Sequence, residues 1–206
     1  MLREQGDSQA IKPDTALGQA LVDFFEVLEP IYAGGDHGVF RAIVFGGCAV
    51  HIHTKARGSA DVDVEITSHG LADRSEIIAL LGEDAYSFTS DEGLSQILEL
   101  DKSFSTTLGP LHEDYEDRAI LLTTQSSSPF VEVYVASPID VAISKLGRFG
   151  KRDQDDIQSL LNLPGVSIEE FKRLAKEAIG YYVGNPVPVL GNLRNTIQDY
   201  HQGKES

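Results

Sequence analysis

Positive charge is scarce in this 206-residue chain: 17 lysines and arginines stand against 32 aspartates and glutamates, for a net charge of −15. Such a surface repels polyanions at long range, so a nucleic-acid partner would need a confined basic patch, whereas divalent cations and their phosphate complexes are attracted. A single cysteine, Cys48, excludes an intramolecular disulfide and fits a reducing compartment. Its place in an apolar stretch favours packing over reactivity. No apolar run is long enough for a signal peptide or a membrane span, so a cytoplasmic location with no membrane partner is expected. Low-complexity tracts and internal repeats are absent too, and 41% hydrophobic with 24% charged residues is ordinary for a folded domain.

The patterning that is present predicts an α+β (mixed α/β) fold, a mixed sheet flanked by helices with a helical C-terminal part. Residues 1–13 read as a loose arm, ended by a helix that Asp14 or Thr15 caps and whose buried stripe is Leu17, Leu21, Phe24, Leu28 and Ile31. "GGDHG" at 34–38 stops it. Strands are expected at "RAIVF" (41–45), "DVDVEI" (61–66), "AILLTT" (119–124) and "FVEVYV" (130–135), a short helix from "GG" at 46–47, and another at "SEIIALLG". "GLSQILEL" suits either helix or strand. From Ser137 the chain turns helical: "SPID" supplies an N-cap, a proline at the first position and an acid three residues after the cap. Ile139, Ala142, Leu146 and Phe149 form the stripe of that helix; others are expected over 154–162, 167–179 and 190–201, with a break at "GNPVP" (184–188). The expected division is a core over 1–136 and a C-terminal helical part over 137–206.

Alternation in "DVDVEI" puts Asp61 and Asp63 on one face and Val62 and Val64 on the other. Two like charges that close are unfavourable unless water or a divalent cation intervenes, and Mg²⁺ held by two carboxylates and phosphate oxygens meets that need. "FVEVYV" repeats the arrangement, and if the strands are neighbours Glu132 becomes a third acid able to bind metal or take a proton from an attacking hydroxyl. Gly46 and Gly47, between strand and helix, would let backbone amides approach a phosphate at a helix N-terminus. Either piece alone reads by default as a plain strand-to-helix turn or a solvated acidic face; together they suggest a nucleoside triphosphate.

These residues resemble the nucleotidyltransferase superfamily of the DNA polymerase β type, with its Gly-Gly turn followed by an Asp-x-Asp strand. Within it the sequence is most similar to AbiEii-like toxin nucleotidyltransferases and related bacterial proteins, with Gly46, Gly47, Ala49, His53, Arg57, Ser59, Asp61 and Asp63 at the motif positions, serine standing for the usual threonine. A second block, "SPIDVAISKLGRFGKRDQDDI", resembles their later pattern and contributes Lys145, Arg148, Arg152, Asp153 and Asp156.

The resemblance implies an NTP-dependent, pyrophosphate-releasing enzyme with Mg²⁺ or Mn²⁺ on Asp61 and Asp63 and Glu132 assisting the acceptor. Nucleotide contacts would come from Gly46, Gly47, Arg57, Ser59, Lys145 and Arg148, with Asp156 orienting the lysine. It further implies a toxin-antitoxin or phage-defence setting with tRNA as the favoured acceptor and a cognate antitoxin or toxin as partner. AMP transfer to a protein, modification of a small antibiotic, and a non-catalytic nucleotide- or partner-binding module stay open. Arg41, Arg57, Lys145, Arg148, Lys151, Arg152, Lys172 and Arg173 are the obvious contributors to any RNA groove. His51 and His53, two apart on a helix, do not point at one metal.

Overall fold

The computed structural model describes residues 10–33, 39–56, 58–67, 74–107, 109–123 and 128–205. In chain order the elements are α1 (Ala16–Glu26), α2 (Glu29–Ala33), β1 (Phe40–Val44), α3 (Gly46–Thr54), β2 (Asp61–Val62), β3 (Val64–Ile66), α4 (Arg74–Leu81), β4 (Tyr86–Thr89), β5 (Ser95–Leu100), β6 (Ile120–Leu122), β7 (Val131–Val135), α5 (Pro138–Ser144), α6 (Lys151–Leu161), α7 (Ile168–Tyr181) and α8 (Pro186–Glu205). The strands form two mixed sheets, β3-β1-β7-β6 and β2-β5-β4, so the architecture is α+β.

Thr15 caps α1 by accepting the Gly18 N–H. The expected single helix breaks at Val27–Leu28, just before Pro30, which lacks an N–H. Leu28 remains buried, but Ile31, expected in the stripe, is 39% exposed because α2 restarts with a different face inward. The arm is held from residue 11: Ile11 donates its N–H to Leu121 and accepts from Thr123, a bridge at the edge of β6. "GGDHG" lies outside the described residues.

"GLSQILEL" becomes strand β5, which pairs antiparallel with β4, a strand the sequence reading did not anticipate. "DVDVEI" is not one strand. β2 pairs parallel with β5, β3 pairs antiparallel with β1, and Asp63 sits at the fork between the sheets. Val62 and Val64 are buried on either side of it, as the alternation requires.

Ser137 caps α5 through the Asp140 N–H, with Pro138 at the start, as "SPID" predicts. The helix ends at Ser144, before Phe149, whose backbone turns left-handed (φ 52°). α8 begins inside the expected break because Pro186 occupies the first turn, where its missing N–H costs nothing. One contiguous core runs from Leu17 to Leu193 and takes in Ile157, Leu160 and Phe171 of the later helices. Among the described residues no helix is long and apolar enough to cross a membrane.

Candidate functional site

The first turn of α3 meets the fork at Asp63. Phe45, preceding the helix, donates its N–H to the Asp63 carbonyl (2.8 Å), which fixes the level of Asp63 on the sheet. Gly46 has φ +59°, and a Cβ built there would lie 1.6 Å from Asp63 Oδ2. The glycine is thus required twice, by its backbone conformation and by the carboxylate seated over it. Gly47 is buried in the same turn. Cys48 is buried as expected, its Sγ 3.3 Å from the Asp61 carbonyl, tying α3 to β2.

Asp101 completes an acid pair that the sequence reading missed. It follows β5 directly, and its N–H donates to the Val62 carbonyl (3.0 Å), so the parallel register brings it level with Asp63. The two carboxyl groups are hydrogen-bonded to each other. Burial pushes the Asp63 carboxyl up to about 6 from its ordinary 3.8, and the charge of Asp101 adds to the rise. Asp101 is held below the ordinary carboxylate range by hydrogen bonds from Ser103, whose hydroxyl (2.6 Å) and N–H (2.8 Å) both reach Oδ1. As pH falls, Asp63 is therefore the member of the pair that takes up a proton first. Asp61 lies two residues away on the exposed rim and is a minor influence on Asp63.

Across a cleft of about 280 Å³ from this pair stand Lys145 and Arg148. Lys145, just past α5, is only 7% exposed; its Nζ lies 2.9 Å from Asp156 Oδ2 and 3.5 Å from Asp153 Oδ1. Arg148 donates Nε and Nη2 to the two oxygens of Asp153, each at 2.8 Å, while its side chain stays 77% exposed. Both cations project from the turn after α5, aimed by acids of α6. Burial alone would raise the Asp153 carboxyl; Arg148 and Lys145 outweigh it and hold the group below its ordinary value. Phe45, Phe104 and Leu111 give the cleft an apolar floor, and the Phe45 and Phe104 rings stack at 5.6 Å.

Glu132 is not part of the cleft. β7 does neighbour β1, but its register sets Glu132 opposite Arg41, whereas Phe45, four residues further on, stands opposite Asp63. At roughly 3.3 Å per residue and 4.8 Å per strand spacing, Glu132 is about 13 Å along and about 10 Å across from Asp63. It accepts instead from Arg41 Nε (2.7 Å) and from the Tyr134 hydroxyl (3.0 Å).

Ser59 sits outside the cleft with its hydroxyl on the Asp61 carbonyl, and Arg57 lies outside the described residues. His51 meets Thr15 Oγ1 (3.0 Å), while His53 Nε2 donates to the Ala136 carbonyl (2.8 Å); burial keeps His53 neutral, and the bond ties α3 to the segment entering α5.

Residues 19–200 match the family described as "Nucleotidyltransferase of unknown function (DUF6036)". The chain belongs to this family. A search of curated proteins finds none that matches. The nucleotidyltransferase family match takes in both halves of the cleft, since Gly46, Asp63 and Asp101 come from its first part and Lys145, Arg148, Asp153 and Asp156 from its second.

Proposed function

We propose that the protein is a divalent-metal-dependent nucleotidyltransferase that moves a nucleoside monophosphate from an NTP to an acceptor hydroxyl and releases pyrophosphate. The observation that carries this reading is the opposition, across one cleft, of the Asp63–Asp101 acid pair and the Lys145–Arg148 cation pair. Nucleotidyl transfer needs little covalent chemistry from a protein and much charge placement, with acids to anchor a cation and cations to receive the departing pyrophosphate.

The acid pair fits a divalent cation. Two carboxyl groups meet in a partly buried site where burial and mutual repulsion disfavour ionising Asp63, a cost that a cation would relieve. Among the described residues no three His, Cys, Asp or Glu side chains converge to hold a metal alone, which suits Mg²⁺ that takes one or two carboxylates and draws its other ligands from phosphates and water. When bound, the cation would neutralise phosphate charge and polarise the phosphorus under attack. Asp63 and Asp101 would hold it, with Asp61 supporting from the rim. Asp101 takes the part first given to Glu132: it accepts a hydrogen bond from the incoming hydroxyl and receives the proton once the new O–P bond has formed. A weak base suffices then, because the oxygen is already acidic. Lys145, pinned by Asp153 and Asp156, and Arg148 receive the β- and γ-phosphates; Arg57 and Gly47 are assigned to nucleotide contact on the motif resemblance, whereas Ser59, turned to the Asp61 carbonyl outside the cleft, is not.

For the acceptor, the toxin-like resemblance favours tRNA, but a specific observation favours a less charged partner. Of the eight basic residues available for an RNA groove, Arg41, Lys145, Arg148, Lys151, Lys172 and Arg173 are each within ion-pair distance of a carboxylate. With Lys145 and Arg148 given to the NTP phosphates, the other four paired with carboxylates, and a net charge of −15, little is left for a polyanion. A protein or small-molecule hydroxyl is the reading adopted, and a toxin-antitoxin role with a cognate partner is kept as the setting to test by labelling. The experiment uses α-phosphate-labelled NTPs with Mg²⁺ or Mn²⁺ and total RNA, protein and small-metabolite fractions as acceptors. Asp101→Asn is expected to cut transfer at least 100-fold; full activity of that variant would refute the assignment, and NTP binding with no transfer to any fraction would support a binding module instead.

A further inference from the structure

A second cavity, of about 560 Å³, adjoins the first along the segment that carries Asp101. Asp101 and Phe104 line both cavities, so the segment is a shared wall rather than a boundary. The floor of the second cavity is apolar, from Val64, Ile66, Ile78 and Leu100, and Lys102 and Ser103 stand at its polar side. Lys102 is placed, not merely exposed: its side chain folds over the end of α4, where a Cβ on Gly82 would come within 2.9 Å of Nζ. The carbonyl end of a helix favours a cation there. Among the described residues Lys102 has no carboxylate partner.

The position of this cavity follows the demands of the reaction proposed above, on which the inference rests. In-line displacement at phosphorus puts the attacking oxygen and the leaving pyrophosphate on opposite sides. If pyrophosphate departs toward Lys145 and Arg148, the acceptor must arrive from a space that meets the acid pair but not those cations, and the second cavity is lined by Asp101 and by neither Lys145 nor Arg148. We propose that this cavity is the acceptor subsite, and that the acceptor is a small hydroxylated molecule with an apolar body and an anionic group. The volume lies in the range of small-molecule sites; the apolar floor takes the body and Lys102 the anion. In the transfer the acceptor oxygen bonds to the α-phosphorus, the bond from that phosphorus to the oxygen bridging the β-phosphate breaks, pyrophosphate leaves toward Lys145 and Arg148, and the hydroxyl proton passes to Asp101.

Ligand-observed NMR with 4-hydroxyphenylacetate and its neutral amide, in the presence of Mg²⁺ and a non-hydrolysable ATP analogue, tests this. The acid is expected to bind two- to fivefold more tightly than the amide, the size of an exposed charge contact. Lys102→Ala, an exposed position that leaves the core untouched, should erase that preference. Ile78→Trp, which fills the floor, should weaken the acid more than tenfold while the ATP analogue binds within twofold of wild type. The proposal is overturned if the acid does not bind wild type, if Lys102→Ala keeps the preference, if Ile78→Trp leaves the acid unaffected, or if labelled nucleotide is transferred to tRNA as well by Ile78→Trp as by wild type. On wild type, failure of the acid to bind while the ATP analogue binds refutes the subsite alone; failure of the ATP analogue on wild type refutes the transferase reading beneath it.

Discussion

Replacing Asp63 by asparagine should make the metal-free protein more stable while removing its capacity for metal and nucleotide. The folded carboxyl titrates near 6 against an ordinary 3.8, so folding disfavours its ionised form, and the stability present at pH 4 is progressively lost as pH rises through about 6. A rise of that size corresponds to about 3 kcal/mol at full weight; with part of the group open to the cleft, roughly 1–2 kcal/mol is expected. Asparagine keeps the shape over Gly46, offers Asp101 an N–H donor, and never ionises. For a chain this long each kcal/mol moves Tm by about 2–4 °C, so Asp63→Asn should melt about 2–8 °C above wild type at pH 8 in EDTA and within about 1 °C of it at pH 4. Adding Mg²⁺ and ATP at about 100 Kd should raise wild type by a further ~2.7 kcal/mol and leave the variant unmoved. Differential scanning calorimetry across this pH range decides it: a variant that is less stable than wild type at pH 8, or whose advantage does not shrink toward pH 4, refutes the account of Asp63 as a ligand whose ionised form folding disfavours.

Other outcomes follow from the same geometry. Gly46→Ala forces a Cβ into the Asp63 carboxylate and an L-residue into positive φ, which should cost about 1–2 kcal/mol in a urea melt and weaken Mg²⁺–ATP binding at least 100-fold by calorimetric titration. Lys145→Ala removes a buried partner from Asp156 and Asp153 and should cost about 3–5 kcal/mol by chemical denaturation, so its loss of NTP binding must be measured below the unfolding transition. Glu132→Gln breaks only a half-exposed ion pair with Arg41; stability should change by less than about 1 kcal/mol and transfer activity by less than twofold, and a large loss of activity would restore Glu132 to the site.

What the sequence disclosed, and what it hid, divides by how local the information is. The alternation of "DVDVEI" and "FVEVYV" foretold which side chains are buried, because that depends only on the pleat, and Ser137–Asp140 foretold the start of α5, because capping is decided within one turn. Height along a sheet is not local. Glu132 sits on a strand of alternating apolar residues and Asp101 directly after one, yet one is level with Arg41 and the other with Asp63, and only the pairing of segments roughly 40 to 90 residues apart distinguishes them. The sign that might have raised Asp101 was an acid immediately after the alternating "ILEL", masked by the helix-or-strand ambiguity of that stretch.

Gly46 carries the subtler point. The sequence leads one to expect a phosphate where its side chain is missing; the structure seats the Asp63 carboxylate there. A glycine vacated for a ligand and a glycine vacated for the protein's own carboxylate leave the same letter in the sequence, because both answer to the same exclusion of Cβ. The two roles nonetheless make different demands on the neighbour. A phosphate cradle would tolerate any residue at Asp63 that kept clear of Gly46, whereas a seated carboxylate requires Asp63 and Gly46 to change together, so that glutamate at 63, one methylene longer, should fail beside Gly46 as surely as alanine at 46 fails beside Asp63.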